Sequence, residues 1–139
     1  MHIFLCHIGK PRDPHANALA AEYVKRTSRY ARCEMSEINP AKTDFWRRHA
    51  AATKILLDPA GKGWNSSKFA GLLSKAEHEG CDLVFLVGGH DGLPPGWSER
   101  ADLLLSLSPM TLPHELARVL LAEQIYRAVA TLRGHPYPR

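Results

Sequence analysis

Residues 82–87 read DLVFLV, an apolar run with no polar alternation after its first residue, and they empty directly into Gly88, Gly89, His90, Asp91 and Gly92. Successive side chains of a strand point to opposite faces, so an unbroken apolar run belongs to a strand covered on both sides. Such a strand demands a layer above and a layer below its sheet, and the rest of the sequence supplies the pieces. His2–Ile8 reads as a short buried strand ended by Gly9 and Pro11, after which Ala16, Leu19, Ala20, Tyr23 and Val24 recur at helical spacing. Arg32–Ile38 reads as a second strand, residues 43–52 as a brief helix started by Thr43 or Asp44, and residues 53–58 as a third strand. Residues 59–65 are rich in turn formers, Ser66 or Ser67 can cap a helix through Glu79, and Gly80 ends it. A short helical turn at 99–101 precedes a last strand at 103–107. Strands alternating with helices predict an α/β fold, a mainly parallel sheet with helices on both faces. At 139 residues, 45% hydrophobic and without a repeat or linker, the chain is expected to form one domain over residues 1–139.

The final helix is expected to begin near Thr111 or Leu112, with Pro113 in its first turn and Glu115 at the positive end of its dipole, and to run to about Arg133. Ala117, Leu121, Ile125, Ala128 and Leu132 form one apolar stripe on it, and Leu116, Val119, Tyr126 and Ala130 form a second. One sheet buries one stripe. The second therefore predicts a twofold partner using the same face.

A formal charge of +4 leans towards polyanionic partners, because cations that neutralise phosphates release counterions. Basic residues cluster at Lys25, Arg26, Arg29 and Arg32 and again at Lys42, Arg47 and Arg48, a pattern that solvated faces also produce. Cys6, Cys33 and Cys81 are odd in number and widely spaced, which fits a reducing compartment and neither a disulfide framework nor a zinc site. The eight histidines reproduce no HExxH or zinc-finger spacing, so no metal is expected. No run approaches the roughly 18 apolar residues of a membrane span, and residues 1–8 are too short for a signal peptide, so a soluble cytoplasmic protein without membrane partner is expected.

Open parallel sheets bind ligands beyond the carboxyl ends of their strands, which here points to residues 59–65, 88–95 and 107–112. Gly88, Gly89 and Gly92 would let backbone approach a ligand, or would make a tight turn. Neither GxGxxG nor GK[ST] is present, which removes the main support for dinucleotide or triphosphate binding. Ser106 and Ser108 read as turn residues, since no GxSxG surrounds them, and His114 with Glu115 reads as a helix-start pair.

Three segments in order are more specific than any of these signals: FLVGGHDGL at 85–93, LSLSPMTLPHELAR at 105–118 and LAEQIYRAVATLRGHPY at 121–137. Together they resemble the RlmH family, the ribosomal large-subunit pseudouridine N3 methyltransferases of the SPOUT class. The likeness is weak over residues 2–52 and strong from Ile55 onward. It implies a SPOUT α/β knot, with a trefoil knot at the carboxyl end, acting as a homodimer. It implies S-adenosylmethionine as cofactor, held largely by backbone at Leu57, Gly88, Leu107, Ser108, Pro109, Met110, Thr111 and Leu112. It further implies pseudouridine-1915 of 23S rRNA in the assembled ribosome as substrate, methylated at N3 without a metal. For the catalytic side the resemblance points to the tail: His135 for proton handling, Tyr137 against the base and Arg139 on phosphate, with Glu123 and Arg127 as candidates to line the dimeric cleft or simply to pack. Pro138 stands where the family usually has histidine, so a role for that histidine does not transfer. The segment around 40–53 is also shorter than is usual in the family, which trims a peripheral helix. Two alternatives stay open: a non-catalytic knotted protein that binds RNA or ribosomes, and a related SPOUT methyltransferase with another RNA substrate.

Overall fold

The structure is a computed structural model and describes residues 1–137. Five parallel strands stand in the order β2-β1-β4-β3-β5: β1 (His2–Ile8), β2 (Arg32–Ile38), β3 (Thr53–Gly63), β4 (Leu83–Val87) and β5 (Leu103–Ser106). β4 lies between β1 and β3, and all five of its residues are buried, as an unbroken apolar run requires. Between strands come α1 (Pro14–Thr27), the one-turn α2 (Phe45–Arg48), α3 (Ser66–Glu79) and a 3₁₀ turn over Ser98–Arg100, and α4 (His114–Leu132) follows β5.

Strand alternation sorts the core into two layers. Ile3, Leu5, Ile55, Leu83, Phe85, Val87 and Leu105 face α1, α3 and α4. Cys6, Leu56, Val84 and Leu86 face the other way, onto Phe45, Ile38 and Ala52, with Trp46, Leu93 and Trp97 packed around them. Helices do cover both faces, but unequally: three long helices on one, and on the other a single turn plus an aromatic loop.

Local chemistry fixes the helix ends. Asp13 accepts from the N–H groups of His15 and Ala16 at the start of α1, and Asp44 accepts from Arg47 N–H at the start of α2. At α3 the cap is Asn65, which accepts from Lys68 N–H, and neither Ser66 nor Ser67 takes that role. Gly80 closes α3 in the left-handed conformation, φ 65°, where a Cβ would be strained.

Two expectations need correction. Residues 59–63 belong to β3, whose register to β5 slips between Leu57 and Lys62; Asp58 turns the chain there by accepting from Ala60 N–H at 2.7 Å. The turn chemistry is real, but it makes a bulge within a strand and does not end it. The second correction concerns α4. Val119, Tyr126 and Ala130 of its second stripe are buried within the chain itself, because α4 is flanked by both α1 and α3. A helix wedged between two others on a sheet buries most of its circumference, so the two stripes do not by themselves call for a partner. Leu116 alone of that stripe stays exposed.

Candidate active site

The carboxyl ends of β3, β4 and β5 open onto a cavity of about 340 Å³, within the usual range for ligand sites. Three stretches wall it. The β3 bulge contributes Leu57, Asp58 and Pro59, the turn after β4 contributes Gly88, Gly89, His90, Gly92 and Leu93, and the β5–α4 connection contributes Leu107, Ser108, Met110 and Leu112. His114 and Ala117 close it from the first turn of α4.

Each wall is held by local bonds. Gly92 N–H donates to Gly89 O at 2.9 Å, and Gly92 has φ 78°. A Cβ on Gly88 would come within 2.7 Å of Gly92 backbone, so the turn closes this tightly only with glycine at 88. The glycine run makes a tight turn, and that turn is one wall of the cavity. In the third wall Ser106 Oγ donates to Ser108 O and Met110 N–H donates to Ser108 Oγ, each at 2.9 Å, which shapes the loop through its serines as turn residues. Glu115 accepts from the backbone N–H groups of Arg12 and Asp13, lashing the β1–α1 loop to the start of α4. Those N–H groups hold its carboxyl below the ordinary range.

Of the residues named from the sequence for the cofactor, Leu57, Gly88, Leu107, Ser108, Met110 and Leu112 line the cavity, whereas Pro109 and Thr111 sit in the same loop without lining it. The lining fits a largely backbone-held ligand: leucines for an apolar body, and loop amides for polar edges.

The tail is elsewhere. Tyr137 O–H donates to Glu123 Oε2 at 2.9 Å, with the Tyr23 hydroxyl at 3.4 Å; its ring meets Tyr126 edge-on, and the Arg127 guanidinium lies 4.9 Å from its centroid. Burial, then bonding to Tyr23 and Glu123, pushes its phenol up. Glu123 and Arg127, joined by an ion pair at 2.8 Å, pack this tyrosine. His135 is exposed beside Tyr30, ring centroids 5.8 Å apart. Arg139, and Pro138 with it, lies outside the described residues. Ala117, at the cavity, and Tyr126, under the tail, are nine positions apart on α4, roughly 13 Å along a helix. One chain therefore does not bring its own His135 and Tyr137 to its own cavity.

Sequence reasoning missed Arg118, which is 1% exposed. Its Nη1 donates to Asn17 Oδ1 at 3.4 Å while Nε has no hydrogen-bond partner among the described residues, and burial lowers its pKa. Nearby His7 is also buried, and desolvation followed by the Arg118 charge lowers it. The signal for it in the sequence is slight: Arg118 stands between Ala117 of one apolar stripe and Val119 of the other. Among the described residues no three of His, Cys, Asp and Glu come together as a metal group, and no helix is long and apolar enough to cross a membrane.

Comparison with known proteins agrees with this architecture. The family described as "Predicted SPOUT methyltransferase" matches residues 1–138. "Ribosomal RNA large subunit methyltransferase H" of Solibacter usitatus is 63% identical over the full length of both chains. Among solved structures, a probable methyltransferase from Bordetella pertussis superposes with TM-score 0.61 over 92% of this chain and 96% of its own, at 15% identity. A Sinorhizobium meliloti rRNA methyltransferase with AdoMet bound gives 0.52 over 91% of this chain and 56% of its own, at 14% identity. At those identities the likeness speaks for the fold, and the full-length match speaks for the family. The chain belongs to the SPOUT methyltransferases, with their α/β-knot fold, in the family of the ribosomal RNA large subunit methyltransferase H proteins.

Proposed function

We propose that the protein methylates N3 of a pseudouridine in large-subunit rRNA, the base at position 1915 of 23S rRNA, with S-adenosylmethionine as donor, in the cytoplasm. The observation that carries the reading is the cavity at the strand ends, walled by the glycine turn at 88–93 and the loop at 107–112, in a chain matched end to end by a named rRNA methyltransferase. Leu57, Gly88, Leu107, Ser108, Met110 and Leu112 would hold the cofactor, with Pro109 and Thr111 shaping their loop. When bound, its sulfonium supplies an electrophilic methyl group. The protein's contribution is positioning and removal of the imide proton.

The proton-handling and RNA-holding residues proposed are His135, Tyr137 and Arg139; His135 and Tyr137 would reach a cavity only from a second copy, and Arg139 lies outside the described residues. Leu116 and Leu120, one turn apart on α4, are 51% and 44% exposed, and Leu19 of α1 is 47% exposed. Antiparallel pairing of α4 across these leucines would bring Tyr137 of each copy toward the other's cavity, and the exposed leucines are the support for a homodimer. The test is methyl transfer from labelled S-adenosylmethionine to ribosomes lacking the modification. The expected product is the N3-methylated pseudouridine; cofactor and ribosome binding without transfer would instead establish a non-catalytic binding protein, and label in another nucleotide would establish a different substrate.

A further inference from the structure

The second layer of the sheet holds a feature that methyl transfer does not use. A hollow of about 340 Å³ is lined by residues 40–46 and Trp97, on the face away from α1, α3 and α4. Its aromatic wall is the partly exposed pair Trp46 and Trp97, which meet edge-on at 5.3 Å and are backed by the buried Phe45, stacked on Trp97 at 5.4 Å. The indole N–H of Trp46 is buried and bonded to nothing among the described residues.

Lys42 lines the hollow, Arg47 and Arg48 follow Trp46 on the α2 turn and Arg100 lies over the Trp46 ring; all four are exposed and none is in an ion pair among the described residues. The Arg100 guanidinium lies over the Trp46 ring, 4.2 Å from its centroid, a cation on an aromatic face. The acidic groups facing the region are Asp44, whose carboxylate caps α2 by accepting from Arg47 N–H, and Glu99, which accepts from Ser98 Oγ. Cations outnumber them, and the cations are left unneutralised.

Position ties the hollow to the active site. Leu93 lines the cavity and Trp97 lines the hollow, four residues apart, so at most about 14 Å of chain separates the two walls. Both lie within reach of one RNA loop. Two partly exposed indoles beside unpaired cations suit an unstacked nucleotide, its base against Trp46 and Trp97 and its phosphates on the arginines.

We infer that the hollow between residues 40–46 and Trp97 is an accessory RNA subsite, which takes an unpaired nucleotide of the substrate RNA beside the target base. The inference rests on the rRNA reading above for the identity of that RNA. It also gives a use to the short 40–53 segment, whose loop and single helical turn leave both tryptophans at the surface of the layer.

The test compares the full-length protein with Arg47→Ala/Arg48→Ala/Arg100→Ala, whose changes are all on exposed side chains. The variant should bind S-adenosylmethionine as the parent does and keep kcat, while KM for ribosomes rises about tenfold or more. The dependence of log KM on log salt should become shallower by about 2, since three phosphate contacts on single-stranded RNA are worth about 0.7 each. In a Trp64→Phe background, the emission of Trp46 and Trp97 should be quenched by an RNA hairpin containing the target. An active parent whose variant keeps KM, salt slope and no quenching would overturn the subsite and leave the methyl-transfer reading standing. An inactive parent that binds ribosomes with a salt slope lost in the variant would do the reverse.

Discussion

Replacing Gly88 by alanine isolates the cavity wall from the rest of the fold. The added Cβ would stand 2.7 Å from the carbonyl carbon of Gly92 and 2.9 Å from its oxygen, where ordinary contact begins at 3.4 Å. Backbone on one side or the other must therefore move by about 0.7 Å, and it is backbone that cannot swing aside as a side chain would. The overpacking should cost about 1–3 kcal/mol of stability, a fall of about 3–10 °C in Tm for a domain of this size. Because the displaced segment, Gly88 to Gly92, lines the cavity, a shift approaching 1 Å should weaken S-adenosylmethionine far more than stability, by up to about 100-fold. Titration calorimetry with the cofactor, beside thermal melting of the same preparation, reads both. Gly71→Ala serves as control: Gly71 lies within α3 with nothing within 4 Å of an added Cβ, and the change should add about 0.5–1 kcal/mol without touching affinity. A Gly88→Ala protein that binds the cofactor within twofold of the parent would refute the argument that this wall is sterically set by glycine.

Three further outcomes are expected. Tyr137→Phe removes the bond to Glu123 and should cost about 1 kcal/mol while lowering methylation more than cofactor affinity, measured by single-turnover transfer on ribosomes; equal activity would remove the tail from the site. Arg133 donates to Glu77 at 2.6 Å and holds its carboxyl below the ordinary value of about 4.3. The folded value being the lower one, the bond's stabilisation is present above the ordinary value and lost as pH falls through the folded one. Glu77→Gln should therefore melt below the parent at neutral pH and coincide with it in acid, and a gap that persists in acid would refute the linkage. Leu116→Asp with Leu120→Asp should give monomers by sedimentation that still bind cofactor but no longer transfer methyl, whereas a dimer that survives would place the interface elsewhere.

Strands and helices were legible because their signals are local. The apolar run at 83–87, the spacing of Ala16, Ala20 and Tyr23, and Gly80 each specify a conformation from neighbouring residues alone. Even the cavity was accessible, since a parallel sheet puts ligands at its carboxyl ends, and the glycine turn and the serine-pinned loop stand at those ends in the sequence. The β3 bulge was not, because whether Asp58 and Pro59 end a strand or kink it depends on β5, paired again at Lys62.

The same division explains α4 and the tail. Two apolar stripes are a property of the sequence, but what covers them is decided by packing, and α1 and α3 reach Val119 and Tyr126 from within the chain. The exposed Leu116 and Leu120, and a Tyr137 held roughly 13 Å along α4 from the cavity, emerge only when the helix is placed. Arg118 and Trp46 follow the same rule: a residue's letter carries its charge or ring, while desolvation and lost partners come from elements distant in the chain. The sequence by itself determined the order of elements, the family and the loops that meet at the strand ends. Tertiary structure decided which apolar face remains uncovered and how far the tail stands from the cavity, because both are distances between elements that no local pattern encodes.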